Sequence, residues 1–406
     1  MNKFIDQIKG KKVLVFGLGR QGGGSGDLSW LTKHGAIATA SDRDLTLVPE
    51  GQTKEQIDWA DLIIKNPGVP DEHELILYAK SRGLPVLTSI ALFVKYTSLT
   101  TIGVTGTRGK STTVALITQM LERVYPGQVL SGGNLAGTSC LSLFDQSEGK
   151  KYVVLELSSF MLHNFHELSV SPNYALLTNI YPDHLNRYPD MKSYQWDKQA
   201  IHLYQKPGDF YFEFPSAQTV MDWETSLPGL HNRENIALMW ELAKEMNIPE
   251  DLCRKVVKDF QGIPSRQEKI ATVAGVTYIN DTTATTPVAT IKALQAATSP
   301  TIWITGGDTK NLPFDELIDE VKRNKYLKKI VILGSKHIPD YTAQLKEVVG
   351  TKIISTVFSM AEAIKLARLA TEPGDTVLLS PGFASFDLFK NEFDRGDQFN
   401  QIVRQL

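Results

Sequence analysis

Short apolar runs without polar alternation recur along the chain, among them Val13-Leu14-Val15-Phe16, Tyr152-Val153-Val154-Leu155 and Ala175-Leu176-Leu177-Thr178-Asn179-Ile180. Such runs predict strands covered on both faces, as in a parallel sheet flanked by helices. Residues 37–41, 62–64 and 85–87 read as further strands of a first unit, and 101–105 and 129–130 as strands of a second. Residues 301–305, 329–333, 352–356 and 376–379 belong to a third unit that begins near Tyr278. Helical spacing marks residues 113–121, 194–201 and 236–246. Most of the strands run into a glycine turn or a polar cluster. Three successive α/β units with ligand-type loops at their strand ends predict a cleft shared between domains.

Composition narrows the classes. At 406 residues, with 42% hydrophobic and 22% charged positions, this is a globular chain of two or three domains. A net charge of -2 argues against a nucleic-acid surface built on phosphate contacts. Cys140 and Cys253 are the only cysteines, so neither a disulfide framework nor a cysteine zinc site is expected. The lysine-rich residues 1–12 lead into an apolar run too short for a signal peptide, and no long apolar stretch follows. The expected compartment is the cytoplasm, without membrane insertion.

The chemistry concentrates in Thr105-Gly106-Thr107-Arg108-Gly109-Lys110-Ser111-Thr112-Thr113. An apolar strand opens into a glycine loop, and a lysine and a hydroxyl then start a helix. Backbone N–H groups there can approach a triphosphate, Lys110 can meet its β/γ oxygens, and Ser111 can hold Mg²⁺. It is not a full Walker A, because the first glycine of that pattern would fall at Val104. Gly17-Leu18-Gly19-Arg20-Gln21-Gly22 matches GxGxxG, with Asp42 at the end of the next strand and Asn66-Pro67-Gly68 after the third. On the residues alone this turn reads as a dinucleotide site, a site for another diphosphate, or a packing turn. Glu156 and His184 fall at the ends of neighbouring strands, where with Ser111 they form an oxygen and nitrogen shell suited to Mg²⁺ or Mn²⁺. Gly132-Gly133-Asn134 is another glycine turn with an amide. His231-Asn232-Arg233-Glu234-Asn235 sets two amides one turn apart before a helix. Ile263-Pro264-Ser265-Arg266 reads as an exit into a linker.

Taken together, these motifs resemble the Mur ligases along the whole chain, and within that family the members that add D-glutamate. The phosphate loop is like TG[ST]xGK[ST], and Leu155-Glu156-Leu157-Ser158-Ser159-Phe160 is like LELSSF. Asp183-His184-Leu185-Asn186-Arg187-Tyr188-Pro189 is like DHxDRYP, and Gly229-Leu230-His231-Asn232-Arg233-Glu234-Asn235 is like GxHNxxN. Leu379-Ser380-Pro381-Gly382-Phe383-Ala384-Ser385-Phe386-Asp387 with Arg395-Gly396-Asp397 is similar to LSPACASFD…RGD. The resemblance implies an α/β protein of three domains. These are a Rossmann-like domain over residues 1–96 that holds UDP, a P-loop-type ATPase domain over 97–267, and a Rossmann-like domain over 268–406 that holds the incoming amino acid.

The resemblance also implies ATP-dependent amide formation through an acyl phosphate, with UDP-N-acetylmuramoyl-L-alanine and D-glutamate as partners and a monomer as the working state. Gly17, Gly19, Arg20, Gln21, Asp42, Arg43, Asn66, Gly68, Asn134 and Ser158 would face the acceptor. Gly106, Thr107, Arg108, Gly109, Lys110, Ser111, Thr112, Asn235, Arg266 and Asp281 would face ATP. Two metal sites, for Mg²⁺ with Mn²⁺ as a substitute, would draw on Ser111, Glu156, His184 and Lys198. Lys198 matches the lysine that the family carbamylates with CO₂, chemistry that needs a neutral amine. Lys110, Glu156, His184 and Lys198 would then be the catalytic set. Thr285, Lys310, Ser385 and Phe386 would frame the amino acid.

Departures concern mainly the last step. Thr283 stands where the family carries a lysine, Ser265-Arg266 replaces His-Arg, and Phe383 replaces a cysteine. Arg108 occupies a loop position where asparagine is commoner. A related ligase adding L-glutamate or another amino acid is the neighbouring reading. A nicotinamide-dependent oxidoreductase built on residues 17–22 and a non-catalytic nucleotide-binding protein are readings from other classes.

Overall fold

The computed structural model describes residues 2–19, 22–134, 139–183, 187–227, 229–309, 313–335, 338–385 and 387–406. The chain divides into two compact units, residues 1–225 with 230–259, and residues 226–229 with 260–406. The first holds two parallel sheets. Strands β1 (Lys12–Phe16), β2 (Ile37–Ser41), β3 (Leu62–Lys65) and β4 (Val86–Leu87) pair in the order β2-β1-β3-β4. Both faces of β1 are buried, as its unbroken apolar run demands. Val13 and Val15 join one core with Trp30, Leu31 and Phe93, while Leu14 and Phe16 join another with Ile63, Ile76 and Val86. Each such side chain contributes about 1.5–3 kcal/mol on burial.

The second sheet comprises β5 (Thr100–Thr105), β6 (Val129–Gly133), β7 (Tyr152–Glu156), β8 (Tyr174–Leu177) and β9 (Phe210–Glu213), in the order β6-β7-β5-β8-β9 and all parallel. Strand β5 is central, so the phosphate loop leaves from the middle of its carboxyl edge. Gly103 is required there, since a Cβ would lie 2.5 Å from the Pro172 ring. The apolar run over 175–180 does not stay extended to its end. Strand β8 stops at Leu177, because Thr178 and Asn179 turn to bind the phosphate loop. The helix expected over 236–246 runs Leu230–Glu245, so the motif that contains Asn232 and Asn235 forms its first turns. β9 was not legible as a strand.

The second unit holds a six-stranded sheet, β10-β11-β15-β12-β13-β14, from β10 (Glu268–Val273), β11 (Val276–Asn280), β12 (Thr301–Gly306), β13 (Leu327–Leu333), β14 (Ile353–Val357) and β15 (Thr376–Leu379). Only β10 is antiparallel. It is an edge strand joined to β11 by a tight turn at Ala274 and Gly275, both with positive φ. Trp303 in β12 is wholly buried, and its indole donates to the Ser380 carbonyl at 2.7 Å. Ile302 and Ile304 pack on the opposite face. Among the described residues no helix is long and apolar enough to cross a membrane.

Trp303→Ala removes that ring from the third sheet's core, and the expected cost is about 3–5 kcal/mol. Urea unfolding followed by circular dichroism checks it; a loss below about 1 kcal/mol would mean the core closes around the gap.

Candidate active site

The phosphate loop begins where β5 ends. Gly106 and Gly109 both have positive φ, at 147° and 85°. Each also lies too close to a neighbour for any side chain, Gly106 to the Thr178 hydroxyl and Gly109 to the Asn235 carbonyl oxygen. The tips of β8 and the loop are stitched together. Thr107 N donates to Asn179 O at 2.9 Å, Arg108 N donates to Asn179 Oδ1 at 2.9 Å, and Asn179 Nδ2 donates to Arg108 O at 3.1 Å. Thr178 Oγ1 also donates to Arg108 O. The helix Lys110–Val124 follows at once, with Thr113 Oγ1 donating to Gly109 O at 3.0 Å. Its first turn, holding Ser111 and Thr112, presents N–H groups and the positive end of the helix dipole. Lys110 Nζ folds back to donate to Gly106 O at 3.1 Å and Thr107 O at 3.3 Å. This is an anion cradle with a cation folded onto it.

Lys198 reaches the same loop from the opposite side. It sits near the end of the helix Met191–Gln199, is 2% exposed, and donates to Gly106 O at 2.9 Å and Thr105 Oγ1 at 3.4 Å. Burial, and then the charge of Lys110, pull its pKa down to about 7. Tyr194, on the same helix, has its hydroxyl 3.0 Å from Thr107 Oγ1 and its ring beneath the Lys198 ammonium.

Glu156 closes β7 and is 4% exposed. Its Oε1 accepts from Asn134 Nδ2 at 3.2 Å, whereas its buried Oε2 has no hydrogen-bond partner among the described residues. A buried oxygen left in that state is costly, and a divalent cation is a natural partner for it. The donor set therefore fits a hard metal ion, with the Ser111 hydroxyl on the adjoining helix turn. His184 lies outside the described residues. Among those described, no three His, Cys, Asp or Glu side chains gather into a metal cluster.

A cavity of about 390 Å³ opens at the carboxyl edge of the first sheet and is lined by Gly17, Gly19, Asn66, Gly68, Asn134 and Ser158. Six residues expected to face the acceptor thus share one space. Asp42 is placed differently: its carboxylate accepts from Gly19 N and Asp44 N at 2.9 and 2.8 Å, so it holds the glycine turn. Arg43 is exposed, and Arg20 and Gln21 lie outside the described residues. The same cavity is lined by Asp27 and Lys65, neither of which was singled out from the sequence. Burial raises the Asp27 pKa to about 6. Its Oδ1 accepts from Ser139 Oγ at 2.6 Å and Leu141 N at 3.3 Å. The signal was an acid on the apolar stripe that includes Trp30 and Leu31.

A second cavity, about 580 Å³, is lined by Asp71, His163, Arg187, Tyr188, Trp196 and Asp197 among others. Asp197 accepts from Tyr188 OH at 2.8 Å and lies 2.9 Å from His163 Nδ1. That hydrogen bond is the main cause of the raised His163 pKa. Asp71 pairs with buried Lys65 at 2.9 Å, and although burial opposes its charge, Lys65 and its other neighbours hold its pKa below the ordinary value.

In the second unit, Asp281 follows β11 and accepts from Ser380 Oγ at 2.8 Å and Gln267 N at 3.1 Å; burial raises its pKa to about 6. Arg266 is exposed nearby in the chain, Thr285 is half-buried and Ser385 buried. Thr283, in place of the family's lysine, donates its hydroxyl to Ser265 O at 2.9 Å. Lys310 and Phe386 lie outside the described residues.

Residues 104–214 match the Mur ligase middle domain, and residues 265–383 match the Mur ligase glutamate ligase domain. The fold is similar to the UDP-N-acetylmuramate-alanine ligase MurC of Thermotoga maritima (TM-score 0.61, 16% identity, 97% of this chain and 99% of that one). It is also similar to the MurF ligase of the same organism in complex with ADP (TM-score 0.58, 16% identity, 99% and 97%). The chain belongs to the Mur ligase family, the ATP-dependent ligases of peptidoglycan precursor synthesis. Along its length it is similar to proteins named UDP-N-acetylmuramoylalanine--D-glutamate ligase. That of Roseiflexus sp. (strain RS-1) is 32% identical, covering 98% of this chain and 100% of the relative. That of Lacticaseibacillus casei (strain BL23) is 31% identical, covering 100% and 98%.

Because the folded pKa of Lys198 lies below its ordinary 10.5, the folded chain binds fewer protons than the unfolded one between about pH 7 and 10.5. Its stability therefore rises with pH across that window. Lys198→Met abolishes this contribution. In CO₂-free buffer the stability difference, variant minus wild type, should be flat below about pH 7 and fall above it. Urea midpoints measured at intervals from about pH 6 to 9 check this; a difference independent of pH contradicts a depressed lysine.

Proposed function

We propose that this chain is a cytoplasmic, monomeric ligase that joins D-glutamate to UDP-N-acetylmuramoyl-L-alanine, with no nucleic-acid partner and no membrane insertion. In this reading residues 1–96 hold the UDP end of the acceptor, residues 97–267 hold ATP, and residues 268–406 hold the amino acid. One observation carries it. A phosphate loop at the end of β5, a buried lysine with depressed pKa that reaches it from a helix, and a carboxylate oxygen at the end of β7 without a partner among the described residues occur in a chain whose relatives named as D-glutamate ligases align from end to end.

The reaction divides into two displacements. An oxygen of the acceptor carboxylate attacks the γ-phosphorus of ATP, the bond to the bridging oxygen breaks, and ADP leaves. The amino nitrogen of glutamate then attacks the acyl carbon, loses a proton, and expels inorganic phosphate. Lys110 exchanges the carbonyls of Gly106 and Thr107 for β/γ-phosphate oxygens, while the loop N–H groups hold the remaining charge. Ser111 and Glu156 would hold one Mg²⁺ or Mn²⁺ and His184 a second; when bound, the cations neutralise phosphate charge and orient the oxygens. At pH 7 about half of the Lys198 amines would be neutral, against about one in three thousand for an ordinary lysine. A neutral amine adds to CO₂, forming an N–C bond and releasing a proton. The resulting carbamate places an anion where two ammonium groups otherwise crowd Gly106. Asn134, Ser158 and the first-sheet cavity would seat the acceptor.

A second reading rests on Thr283. Its hydroxyl turns back to Ser265 O, so this position supplies no cation to the incoming amino acid. A ligase for L-glutamate or another amino acid follows from that observation.

Phosphate release with UDP-N-acetylmuramoyl-L-alanine, ATP and Mg²⁺ against a panel of D- and L-amino acids separates the two readings. D-glutamate alone should support turnover. Turnover with another amino acid favours the second reading, and none with any of them removes both. Lys110→Ala should cut the rate by about 10²–10³-fold or more. Lys198→Ala should be nearly inactive and regain part of its rate with added acetate; full activity without an additive removes the carbamate.

A further inference from the structure

Arg395 lies on the helix Glu392–Val403 and is 0% exposed. Its guanidinium donates only to neutral oxygens. Nε donates to Thr282 Oγ1 at 3.0 Å, Nη1 to Phe383 O at 3.1 Å, and Nη2 to Thr282 O at 2.9 Å. Among the described residues it forms no ion pair. Burial brings its pKa down to about 10, with Glu392 opposing the shift. A buried cation without a carboxylate partner is expensive for a fold, so its value lies in what it holds.

It holds strand ends. Thr282 belongs to the segment after β11 that leads to Thr285, and Phe383 to the segment after β15 that leads to Ser385. A third segment joins them, because Asp308, after β12, exchanges backbone hydrogen bonds with Ala384 at 2.9 and 3.0 Å. Gly307 lets the two segments approach, since a Cβ there would collide with Ala384 O. Gly396 lets the helix approach, since its Cβ would fall 2.5 Å from Thr282 Cγ2 and 3.0 Å from Asn280 Nδ2. Thr282 Oγ1 in turn donates to Glu392 O at 2.8 Å. Two strand-end segments therefore bond directly to one planar group, a fork that a lysine cannot reproduce.

We propose that Arg395 is a positioning residue for the amino-acid half of the site. It fixes the spacing between residues 281–285 and 383–385, and so the fit of an amino acid bearing a second carboxylate. The proposal rests on reading those loops as the amino-acid site. Its buried positive charge also favours an anionic ligand there.

The test uses the full chain with Arg395→Lys, Arg395→Met, Thr282→Val and Thr282→Ser. In phosphate-release assays the KM for the amino acid should rise about tenfold or more in Arg395→Lys, Arg395→Met and Thr282→Val, with the KM values for ATP and the acceptor changed less than about twofold. Thr282→Ser, which keeps the hydroxyl, should stay near wild type. Equal rises in all three KM values, or a loss confined to kcat, overturn the proposal. Hydrogen exchange on the ligand-free protein gives a readout independent of turnover. Amides of residues 281–285 and 383–385 should lose protection in Arg395→Lys while those of 106–110 do not. Unchanged protection at both loops overturns positioning even if wild type releases no phosphate with any amino acid, a result that would sink the ligase reading separately.

Discussion

Two lysines converge on one carbonyl oxygen, and much of the site's chemistry follows from that crowding. Lys110 and Lys198 both donate to Gly106 O, one from the helix that the loop starts and one from a helix elsewhere in the sequence. Burial first, and then repulsion from the Lys110 charge, push Lys198 toward its neutral form. The arrangement has two forms of relief. A polyphosphate would draw Lys110 outward, and the proposed conversion of Lys198 to a carbamate would reverse the sign of the second charge.

The loop is held by its neighbours. Its glycines leave no room for a side chain against Thr178 and Asn235, and the tip of β8 pins Thr107 and Arg108 through Thr178 and Asn179. Tyr194 fixes Thr107 from a third direction. These contacts use backbone groups that a longer β8 would have spent on its own ladder. The early end of that strand is therefore a condition of the rigid loop, and preorganised donors are what phosphoryl transfer asks of a protein.

Much of this was legible in the sequence because it depends on local chemistry. The run at residues 13–16 announces a doubly buried strand, and the glycine–lysine–serine order announces an anion cradle at a helix start. Gly17, Asn66, Asn134 and Ser158, expected to face an acceptor, line one cavity. What stayed hidden depends on long-range partners. Asp42 was expected to face the acceptor, yet each of its oxygens accepts from a backbone N–H group. Asp27, His163 and Asp197 were not singled out, because only folding brings Ser139 against Asp27 and Tyr188 and His163 against Asp197. Arg395 sat inside a recognised motif without a role, because its partners at Thr282 and Phe383 are distant in the chain. β9 is four residues long, aromatic and only half-buried, and the edge strand β10 carries mixed polarity, so neither shows a clear period.

The most direct test of the central claim is a crystal structure with a non-hydrolysable ATP analogue and Mg²⁺. The account predicts phosphates on the N–H groups of residues 106–112, with Lys110 Nζ moved from the carbonyls of Gly106 and Thr107 to phosphate oxygens. Phosphates bound elsewhere, with Lys110 still on Gly106 O, would contradict it.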